Sequence, residues 1–521
     1  MKWSTIEAQR RILGAEQGAI VKDWGGRIPV ALVYPNTYYV GMSSLAVHSL
    51  YRLLNAQAGV VCERVFRGYR GLEHGSPPVS LESQRRLADF AVLAATFSFE
   101  LDYLNFMTLL RDAGIRPLVS ERSALDPLII AGGPAVSANP EPLAEICDAF
   151  FIGEVEEVLP QLLDTLQKGM AGTRDGLLSS LAHLPGVYVP AAAGSPPDAV
   201  ERQWVRNLDA YPTHTAVFTR ATEFGDMYLI EIGRGCAHAC RFCLAGCLYR
   251  PQRQRSVAAI LDQAGRGKEH RSRVGLVSAA VSDFSEIEAL TAGLRELGLS
   301  ISVSSLRINP LPQALLAALA DSGTRTLTMA PEAGSERLRQ AISKGVHRDD
   351  ILAAASAAST FGFPELKLYF MLGLPGEEES DVQAIVELVR DITHAYTGHV
   401  VASLGAFIPK AHTPFQRQAL APSEVLRRRL ATVRSGLRAL GIQVKSDSLA
   451  WAEVQAVLAR GDRRLGSVLA SLRAPSLSGW RQAMLDNDLT ADEFTSARAR
   501  GTRLPWQFIR MGGSSRPLES P

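Results

Sequence analysis

Short apolar runs alternate with amphipathic segments through the first third of the chain. The runs are short and rich in branched residues, which is typical of buried parallel strands. Between them, residues 44–56 and 100–114 repeat apolar positions at helical spacing. Three runs predict strands and a fourth predicts a strand that turns into a helix: 28–34, 89–99, 127–136 and 149–166. We therefore expect residues 1–165 to form a doubly wound, Rossmann-like α/β domain with its ligand site at the carboxyl ends of the strands.

A second region of alternating strands and helices lies between residues 226 and 417. Apolar runs predict strands at 227–232, 274–280, 300–305, 324–330, 365–371 and 400–408. These six βα units predict a partial (βα)6 barrel, with its site on the loops that follow the strands. Residues 166–225 are rich in Gly, Ala, Pro and Ser and are predicted to connect the two domains. From 418 to 521 the pattern predicts a helical, Arg-rich C-terminal extension.

The length of 521 residues favours two or three domains. The net charge of +2 gives no indication of nucleic acid as a partner. The N-terminus has no apolar signal-peptide segment, and no run approaches the roughly 18 apolar residues of a membrane span. We therefore expect a cytoplasmic protein with no membrane span. In that compartment, clustered cysteines are metal ligands or catalytic groups more often than disulfides.

Four of the six cysteines fall between Cys236 and Cys247. Cys236, Cys240 and Cys243 have the spacing C-x3-C-x2-C. A structural zinc site usually combines two separated Cys-x-x-Cys pairs, and a bacterial ferredoxin run is C-x2-C-x2-C-x3-C-P. Neither pattern matches. A four-iron cluster on three thiolates fits better, because its fourth iron stays open for an exogenous ligand.

Phe242 completes the form C-x3-C-x-aromatic-C, which resembles the signature of radical S-adenosylmethionine (SAM) enzymes. The resemblance implies a [4Fe–4S] cluster on the three cysteines, with SAM chelated by the open iron and Phe242 next to the adenine. It also implies reductive cleavage of SAM to a 5′-deoxyadenosyl radical, with the electron from a donor such as flavodoxin or ferredoxin. Cys247 lies outside the pattern and is predicted to be a small apolar residue, with a redox-sensitive thiol or an added ligand as alternatives. The isolated Cys62 and Cys147 are predicted to be buried thiols.

The same resemblance assigns SAM contacts to the loops after the second and third barrel strands. The GGE motif that family members often carry after the second strand is missing, which leaves Ser282 and Asp283 as candidates. After the third strand, Ser304 and Arg307 are expected to hold the ribose and the carboxylate of SAM. An arginine suits a carboxylate because its planar guanidinium donates two parallel hydrogen bonds.

The loops after the fourth and fifth strands continue the resemblance. Glu332, in A-P-E-A-G-S, is expected near the ribose and the methionine of SAM. Arg337 is a candidate partner for the carboxylate, with a solvated side chain beside a helix cap as the alternative. Gly373 and Pro375, in L-G-L-P-G-E, shape a loop expected to pack against the adenine.

Further stretches, including "FIPKAHTPF", "LPWQFIRMGG" and "YPNTYYVGMS", resemble the radical SAM subgroup with an N-terminal cobalamin-binding domain. Cobalamin domains that ligate cobalt use D-x-H-x-x-G after the first strand. Here Asn36 stands for the aspartate, Tyr38 for the histidine, and Gly41 matches. A phenol, with a pKa of about 10, is a poor cobalt ligand when neutral. Gly132 and Gly133 permit close approach of a ligand, or a tight turn.

Three interpretations of the first domain stay open: cobalamin bound without a protein ligand to cobalt, another flat or nucleotide-like ligand, or a scaffold for the barrel. The leading hypothesis for the whole chain is a radical SAM enzyme that performs cobalamin-dependent methylation of an unactivated carbon on an unknown substrate. The alternatives are a cobalamin-free radical SAM enzyme that abstracts hydrogen, and an RNA-directed or assembly protein with a structural cluster. A methylthiotransferase is disfavoured because it needs three further N-terminal cysteines.

Overall fold

Five parallel strands and one antiparallel strand form the first sheet, in the order β2-β1-β3-β4-β5-β6. The computed structural model describes residues 3–69, 78–192, 197–303 and 306–512. The strands are β1 Ile28–Thr37, β2 Val60–Gly68, β3 Val92–Thr96, β4 Leu128–Gly132, β5 Ala149–Phe151 and β6 Val187–Tyr188. The strand order reverses between β1 and β3, which is where doubly wound sheets bind their ligands.

Helices cover both faces of this sheet. They are α1 Trp3–Gly14, α2 Tyr38–Gly41, α3 Leu45–Asn55, α4 Asp102–Asp112, α5 Pro134–Ala138, α6 Leu159–Gly169 and α7 Arg174–Ala182. Successive strand side chains point to opposite faces. Val30 and Leu32 therefore pack with α3, α6 and α7, whereas Ala31 and Val33 pack with α4. The predicted doubly wound domain is confirmed.

The remaining strands are β7 Val200–Glu201, β8 Met227–Glu231, β9 Gly233–Arg234, β10 Arg253–Gln254, β11 Arg273–Val277, β12 Ser300–Val303, β13 Thr326–Glu332, β14 Glu365–Leu372, β15 His399–Ala406, β16 Gln443–Ser446 and β17 Ile509–Arg510. Among the described residues, hydrogen bonds group the barrel strands into two parallel sheets, β12-β11-β8 and β13-β14-β15-β16. All six predicted strands form, and β16 adds a seventh beside β15.

The remaining helices are α8 Leu244–Leu248, α9 Val257–Gly267, α10 Ile287–Glu296, α11 Gln313–Asp321, α12 Glu336–Ala341, α13 Arg348–Thr360, α14 Glu379–Ala395, α15 Ser423–Ala439, α16 Leu449–Arg460, α17 Leu465–Ser471, α18 Leu477–Asp486 and α19 Asp492–Thr495. One apolar core joins both barrel sheets to the helices around them. The partial barrel therefore has one continuous interior, and the parallel strands of each sheet present their carboxyl ends at a common edge.

Two parts of the chain differ from the sequence pattern. Strand β2 has no counterpart among the predicted strands, because Glu63 and Arg64 interrupt its apolar run. Arg64 is nevertheless fully buried between Glu16, at 2.6 Å, and Glu82, at 2.7 Å. The connection predicted for 166–225 contains α7, β6 and β7, and β6 extends the first sheet.

The C-terminal extension is helical, as predicted, and completes the core of the first domain. Trp480 and Trp506 are buried there with side chains of the first sheet. β17 pairs with β7, and the Asn139 amide donates to the carbonyls of Ala459 (3.2 Å) and Gly461 (2.8 Å). In the part of the chain that the structure describes, no helix combines the length and apolarity of a membrane span.

Candidate active site

The three-cysteine loop follows β8, the first strand of the barrel. It is braced by the β9–β10 ribbon, in which Gly233 pairs with Gln254. Gly235 has a φ of +83°, and a Cβ there would lie 2.3 Å from the Tyr249 carbonyl oxygen. Only glycine fits this turn. Cys243 begins α8, and its sulfur accepts a hydrogen bond from the Gly246 N–H at 3.4 Å.

The thiols of Cys236, Cys240 and Cys243 are free and partly exposed. Burial raises the pKa of Cys240 and of Cys243, and the Lys344 ammonium partly offsets this. Burial also raises the pKa of Cys247 to about 11. Within the described ranges, no three Cys, His or carboxylate groups are arranged to hold a single metal ion. A four-iron cluster takes one thiolate per iron, so its ligands need not meet at one point.

Phe242 anchors the loop to the opposite side of the barrel. Its ring packs in a small apolar cluster that contains Ala333, Leu374 and Phe407, which follow β13, β14 and β15. The preceding Arg241 donates its N–H to the Ile342 carbonyl at 3.0 Å. The cysteine loop is therefore fixed against the carboxyl ends of the second barrel sheet.

Ser282, Asp283 and Arg307 lie together next to the cysteine loop. The Ser282 hydroxyl accepts a hydrogen bond from the Arg307 N–H at 2.9 Å, and the Arg307 Nε lies 3.6 Å from Asp283 Oδ1. Asp283 Oδ2 is 2.6 Å from Nε2 of His238, which sits between Cys236 and Cys240. Sequence reasoning missed His238, although its place inside the cysteine motif was a signal. Ser304 lies outside the described residues.

Glu332 ends β13 with a φ of +69°, an uncommon conformation for a residue other than glycine. Its carboxylate lies 3.1 Å from the Lys344 ammonium, and both side chains are largely buried. Burial raises the pKa of Glu332, whereas Lys344 lowers it. The Lys344 ammonium is also 6.0 Å from the Phe242 ring. Lys344 was missed because nothing local in the sequence links it to Glu332.

Arg337 and the loop at Gly373 face other partners. Arg337 is half-exposed, pairs with Asp381 and donates to the Gly376 carbonyl at 2.9 Å. The sequence did not predict this ion pair, and a contact of Arg337 with SAM stays a prediction. Gly373, with a φ of +83°, donates its N–H to Glu377 at 2.7 Å, and Pro375 is half-buried in the turn that follows.

A cavity of about 490 Å³ lies between the first sheet and the cysteine loop. Its inner wall is apolar and comes from α3, α6 and the sheet, with Leu50 and Leu163 as examples. Gly132 and Gly133 line it at the carboxyl end of β4. Gly133 has a φ of +99°, and a Cβ there would lie 2.6 Å from the Phe97 carbonyl oxygen. The glycine therefore allows the strand to turn where the cavity opens.

Charged residues from both domains meet beside this cavity. Glu154, after β5, lies 2.9 Å from Arg234 and 2.8 Å from Arg253, and Arg234 also pairs with Glu156 at 2.7 Å. Burial would raise the pKa of Glu154, but the hydrogen bond and charge of Arg253 and the charge of Arg234 hold it below its usual range. Because Arg234 lies two residues before Cys236, the network joins the first domain to the cysteine loop.

Asn36, Tyr38 and Gly41 do not line the cavity. The Asn36 amide donates to Asp102 at 2.9 Å. Tyr38 is 3% exposed, donates its hydroxyl to Glu16 at 2.6 Å, and has its pKa raised by burial and by the Glu16 carboxylate. A Cβ at Gly41 would lie 2.3 Å from the ring of Phe66. Tyr38 and Gly41 therefore pack into the domain core, whereas Tyr39 and Val40 between them are exposed.

Comparison with known proteins places these features in one family. Residues 46–190 match the family described as "Radical SAM proteins, N-terminal", and residues 230–389 match the "Radical SAM superfamily". An uncharacterized protein of Methanocaldococcus jannaschii, MJ0966, is 32% identical over 451 residues, which cover 86% of this chain and 92% of the relative. The chain belongs to the radical SAM superfamily. It is a radical SAM enzyme with a second α/β domain before the barrel.

Two further proteins are similar to this chain. An uncharacterized methyltransferase of Pyrococcus horikoshii, PH0819, is 23% identical over 290 residues, 53% of this chain and 60% of the relative. The solved structure of TsrM from Kitasatospora setae, a radical SAM methyltransferase with cobalamin and a [4Fe–4S] cluster bound, superposes with a TM-score of 0.56. It is 13% identical and the match covers 90% of this chain and 99% of TsrM, so it establishes a common fold for the radical SAM enzyme.

Proposed function

We propose that this radical SAM enzyme is a cobalamin-dependent methyltransferase that acts on an unactivated carbon. One observation carries the proposal: the first-domain cavity and the cysteine loop share a wall. Gly233 and Gly235 line the cavity from the barrel side, and Gly132 and Gly133 line it from the first sheet. A ligand in that cavity would therefore lie directly against the loop that carries Cys236.

The cysteine loop suits an iron–sulfur cluster. Cys236, Cys240 and Cys243 are the ligands in the proposal, because their thiols are free, lie on one loop and remain accessible. Ser282, Asp283, Arg307 and Glu332 surround that loop and would orient SAM, with Phe242 and the turn of Gly373 and Pro375 on the adenine side. Arg337 is left out, because its contacts among the described residues are with Asp381 and Gly376 and not with the cysteine loop. When bound, the cluster and SAM supply a 5′-deoxyadenosyl radical, and cobalamin supplies a carrier for the methyl group.

The cavity suits the nucleotide tail of cobalamin. A volume of about 490 Å³ and walls of leucine side chains accept the flat base, and the glycines at the mouth leave room for a close approach. Polar groups at the mouth, including Glu154 and Arg202, suit the amide groups of the corrin ring. Tyr38 is held by Glu16 inside the core, so the lower face of cobalt would have no protein ligand in this proposal.

The alternatives have less support. A cobalamin-free radical SAM enzyme would leave the cavity to another flat ligand, and metal analysis separates the two. An RNA-directed role would need free arginines in the C-terminal extension. Several of these are instead paired: Arg429 with Glu377, Arg463 with Glu141 and Arg464 with Asp462 and Glu493. Arg460 is buried and donates to backbone carbonyls.

The test is metal and cofactor content after anaerobic reconstitution with iron, sulfide and hydroxocobalamin. We expect near one cobalt and four irons per chain, read by absorbance and metal analysis. Ala94→Phe fills the inner cavity and should abolish cobalt retention while iron is kept, whereas Ala56→Phe, exposed at the end of α3 and outside the cavity, should keep both. Cys240→Ala should lose the cluster and Cys247→Ala should keep it. Four irons with no cobalt in the unmodified chain would refute the cobalamin proposal.

A further inference from the structure

A second cavity, of about 520 Å³, opens where three parts of the molecule meet. Phe99 and Asn105 border it from the segment after β3, Ile408 from the end of β15, and Trp451 and Gln455 from α16. The carboxyl ends of a first-sheet strand and of a barrel strand therefore face the same space. These ends are where α/β sheets and βα barrels place their ligands.

This second cavity adjoins the cysteine loop through β15. Ala406 and Ile408 line the cavity, while Phe407 between them packs in the cluster that holds Phe242. The segment after β15 therefore contributes both to the wall of this cavity and to the cluster that holds the cysteine loop.

The wall of the second cavity is held in place by a buried charge. The Glu100 carboxylate lies 2.5 Å from the Lys410 ammonium and accepts a hydrogen bond from Gln455 at 2.9 Å. Each of the three residues belongs to a different part of the fold: the first domain, the barrel and the C-terminal extension. The pocket thus has a shape that the tertiary structure fixes.

The polar groups of the pocket combine hydrogen-bond donors and acceptors with one carboxylate. The Asn105 amide nitrogen donates to Asp102 at 3.4 Å and that of Gln455 donates to Glu100, which leaves the oxygen of each amide as an acceptor and its second N–H as a donor. The exposed Asp447 carboxylate has no ion-pair partner within the described ranges. None of the described residues that line this cavity is a lysine or an arginine.

The apolar surface of the pocket is partly aromatic. Phe99 is 42% exposed, which is unusual for a large apolar side chain, and Trp451 is half-buried. Aromatic faces next to acceptors favour a flat apolar body with cationic or N–H groups. Asp447 is the only charged side chain among the described lining residues, so a phosphate or carboxylate would be disfavoured by repulsion between like charges.

We propose that the second cavity is the substrate pocket, and that it takes a molecule with a flat, aromatic or apolar body and a cationic amine. Phe99 and Trp451 contact the body, and Asp447 pairs with the amine. The assignment of this ligand as the methyl acceptor rests on the proposed function, whereas the binding specificity does not.

The experiment measures binding by isothermal titration calorimetry to the reconstituted full-length chain. The probes are phenethylamine and 2-naphthylmethylamine, each compared with its carboxylate counterpart, phenylacetate and 2-naphthoate. We expect both amines to bind and to bind more tightly than their counterparts, by about fivefold, as an exposed ion pair allows. Asp447→Asn should abolish that preference, and the exposed Asp112→Asn serves as the matched control that keeps it. Trp451→Ala should weaken amine binding by about tenfold, and Trp451→Phe should restore part of it.

Three results would overturn the proposal: no binding of either amine, carboxylates that bind as tightly as the amines, or an amine preference that survives Asp447→Asn. Circular dichroism of each variant separates a lost pocket from a misfolded chain. Amine binding with no retained cobalt would contradict the methyltransferase proposal and leave the pocket standing. Full cobalt and iron loading without amine binding would contradict the pocket proposal and leave the methyltransferase proposal standing.

Discussion

Buried carboxylates in this protein differ in whether they have a charged partner. Glu332 is held by Lys344, and Asp283 by His238 and Arg307, all next to the cysteine loop. Asp102 is different, because its partners are neutral. It is 4% exposed and accepts hydrogen bonds from Asn36 and Asn105. A buried carboxylate without a cationic partner pays a desolvation cost when it ionises.

The stability of the first domain should therefore depend on pH through Asp102. Burial raises its pKa to about 6, with a small further increase from Glu100, and the two asparagine hydrogen bonds lower it. At a pH between the unfolded pKa near 4 and the folded pKa near 6, Asp102 holds a proton in the folded state that it has lost in the unfolded state. Stability therefore falls as pH rises through this window, by about 3 kcal/mol at most. Asp102→Asn keeps the acceptor and should remove the decline.

Thermal unfolding of both proteins from pH 4 to pH 7 tests this expectation. The difference in melting temperature between Asp102→Asn and the unmodified chain should increase from pH 4 to pH 6 in favour of the variant. Above pH 6 the difference should stay constant. Asp112→Asn, at the exposed end of the same helix, is the control and should follow the unmodified chain. A constant difference across the range would contradict the assignment.

At the scale of elements, the β13–α12 loop is held by a buried arginine. Arg339 is 1% exposed and donates to the carbonyls of Ala333 (3.1 Å), Gly334 (2.7 Å) and Val346 (2.9 Å). Arg339 therefore sets the backbone that carries Glu332.

Arg339→Met should destabilise the barrel and loosen this loop. The loss of several buried hydrogen bonds to one charged group, with the carbonyls left unpaired, should cost about 3 kcal/mol or more. Arg337→Met removes a half-exposed guanidinium from the same helix and should cost about 1 kcal/mol or less. Chemical denaturation of the two variants compares the losses. Similar losses would mean that the burial of Arg339 has no special role.

At the scale of the whole molecule, the domains share their interiors. The C-terminal extension buries Trp480 and Trp506 in the first domain, so these tryptophans support its folding, whereas Trp451 is the one that faces a cavity. Loss of Trp480 or Trp506 is therefore expected to destabilise the first domain, whereas loss of Trp451 acts on the second cavity. The Glu154 network beside the cysteine loop links the first domain to the barrel.

Glu154→Gln should weaken the link between the two domains. The change leaves the largely buried Arg253 without its carboxylate, which should cost about 3–5 kcal/mol at pH 7. Because the pKa of Glu154 is held below its usual range, its contribution is present above the unfolded value near 4.5 and is lost as pH falls below it. The deficit of the variant in thermal unfolding should therefore shrink at low pH.

Glu157→Gln is the matched control, since Glu157 is exposed three residues further along the chain. Its melting temperature should stay close to that of the unmodified chain. A deficit of Glu154→Gln that disappears in high salt would indicate a screened surface interaction and contradict a buried link.

Local pattern determined much of the fold. The strand and helix alternation, the partial barrel and the helical extension follow from the spacing of apolar residues, which depends on neighbours along the chain. The spacing of Cys236, Cys240 and Cys243 identified the family for the same reason, because all three ligands lie on one loop. Strand β2 was not predicted, because Glu63 and Arg64 interrupt its apolar pattern. Arg64 is buried there because it forms ion pairs with Glu16 and Glu82, which lie elsewhere in the chain.

The tertiary structure alone determines which residues come together at each site. Lys344 reaches Glu332 across a helix, Lys410 reaches Glu100 across two domains, and Tyr38 turns into the core toward Glu16. Both cavities are bounded by segments far apart in the chain. The sequence shows which residue types are present that could bind iron, SAM or an amine. The direction and the partner of each side chain depend on long-range packing, which no local pattern contains.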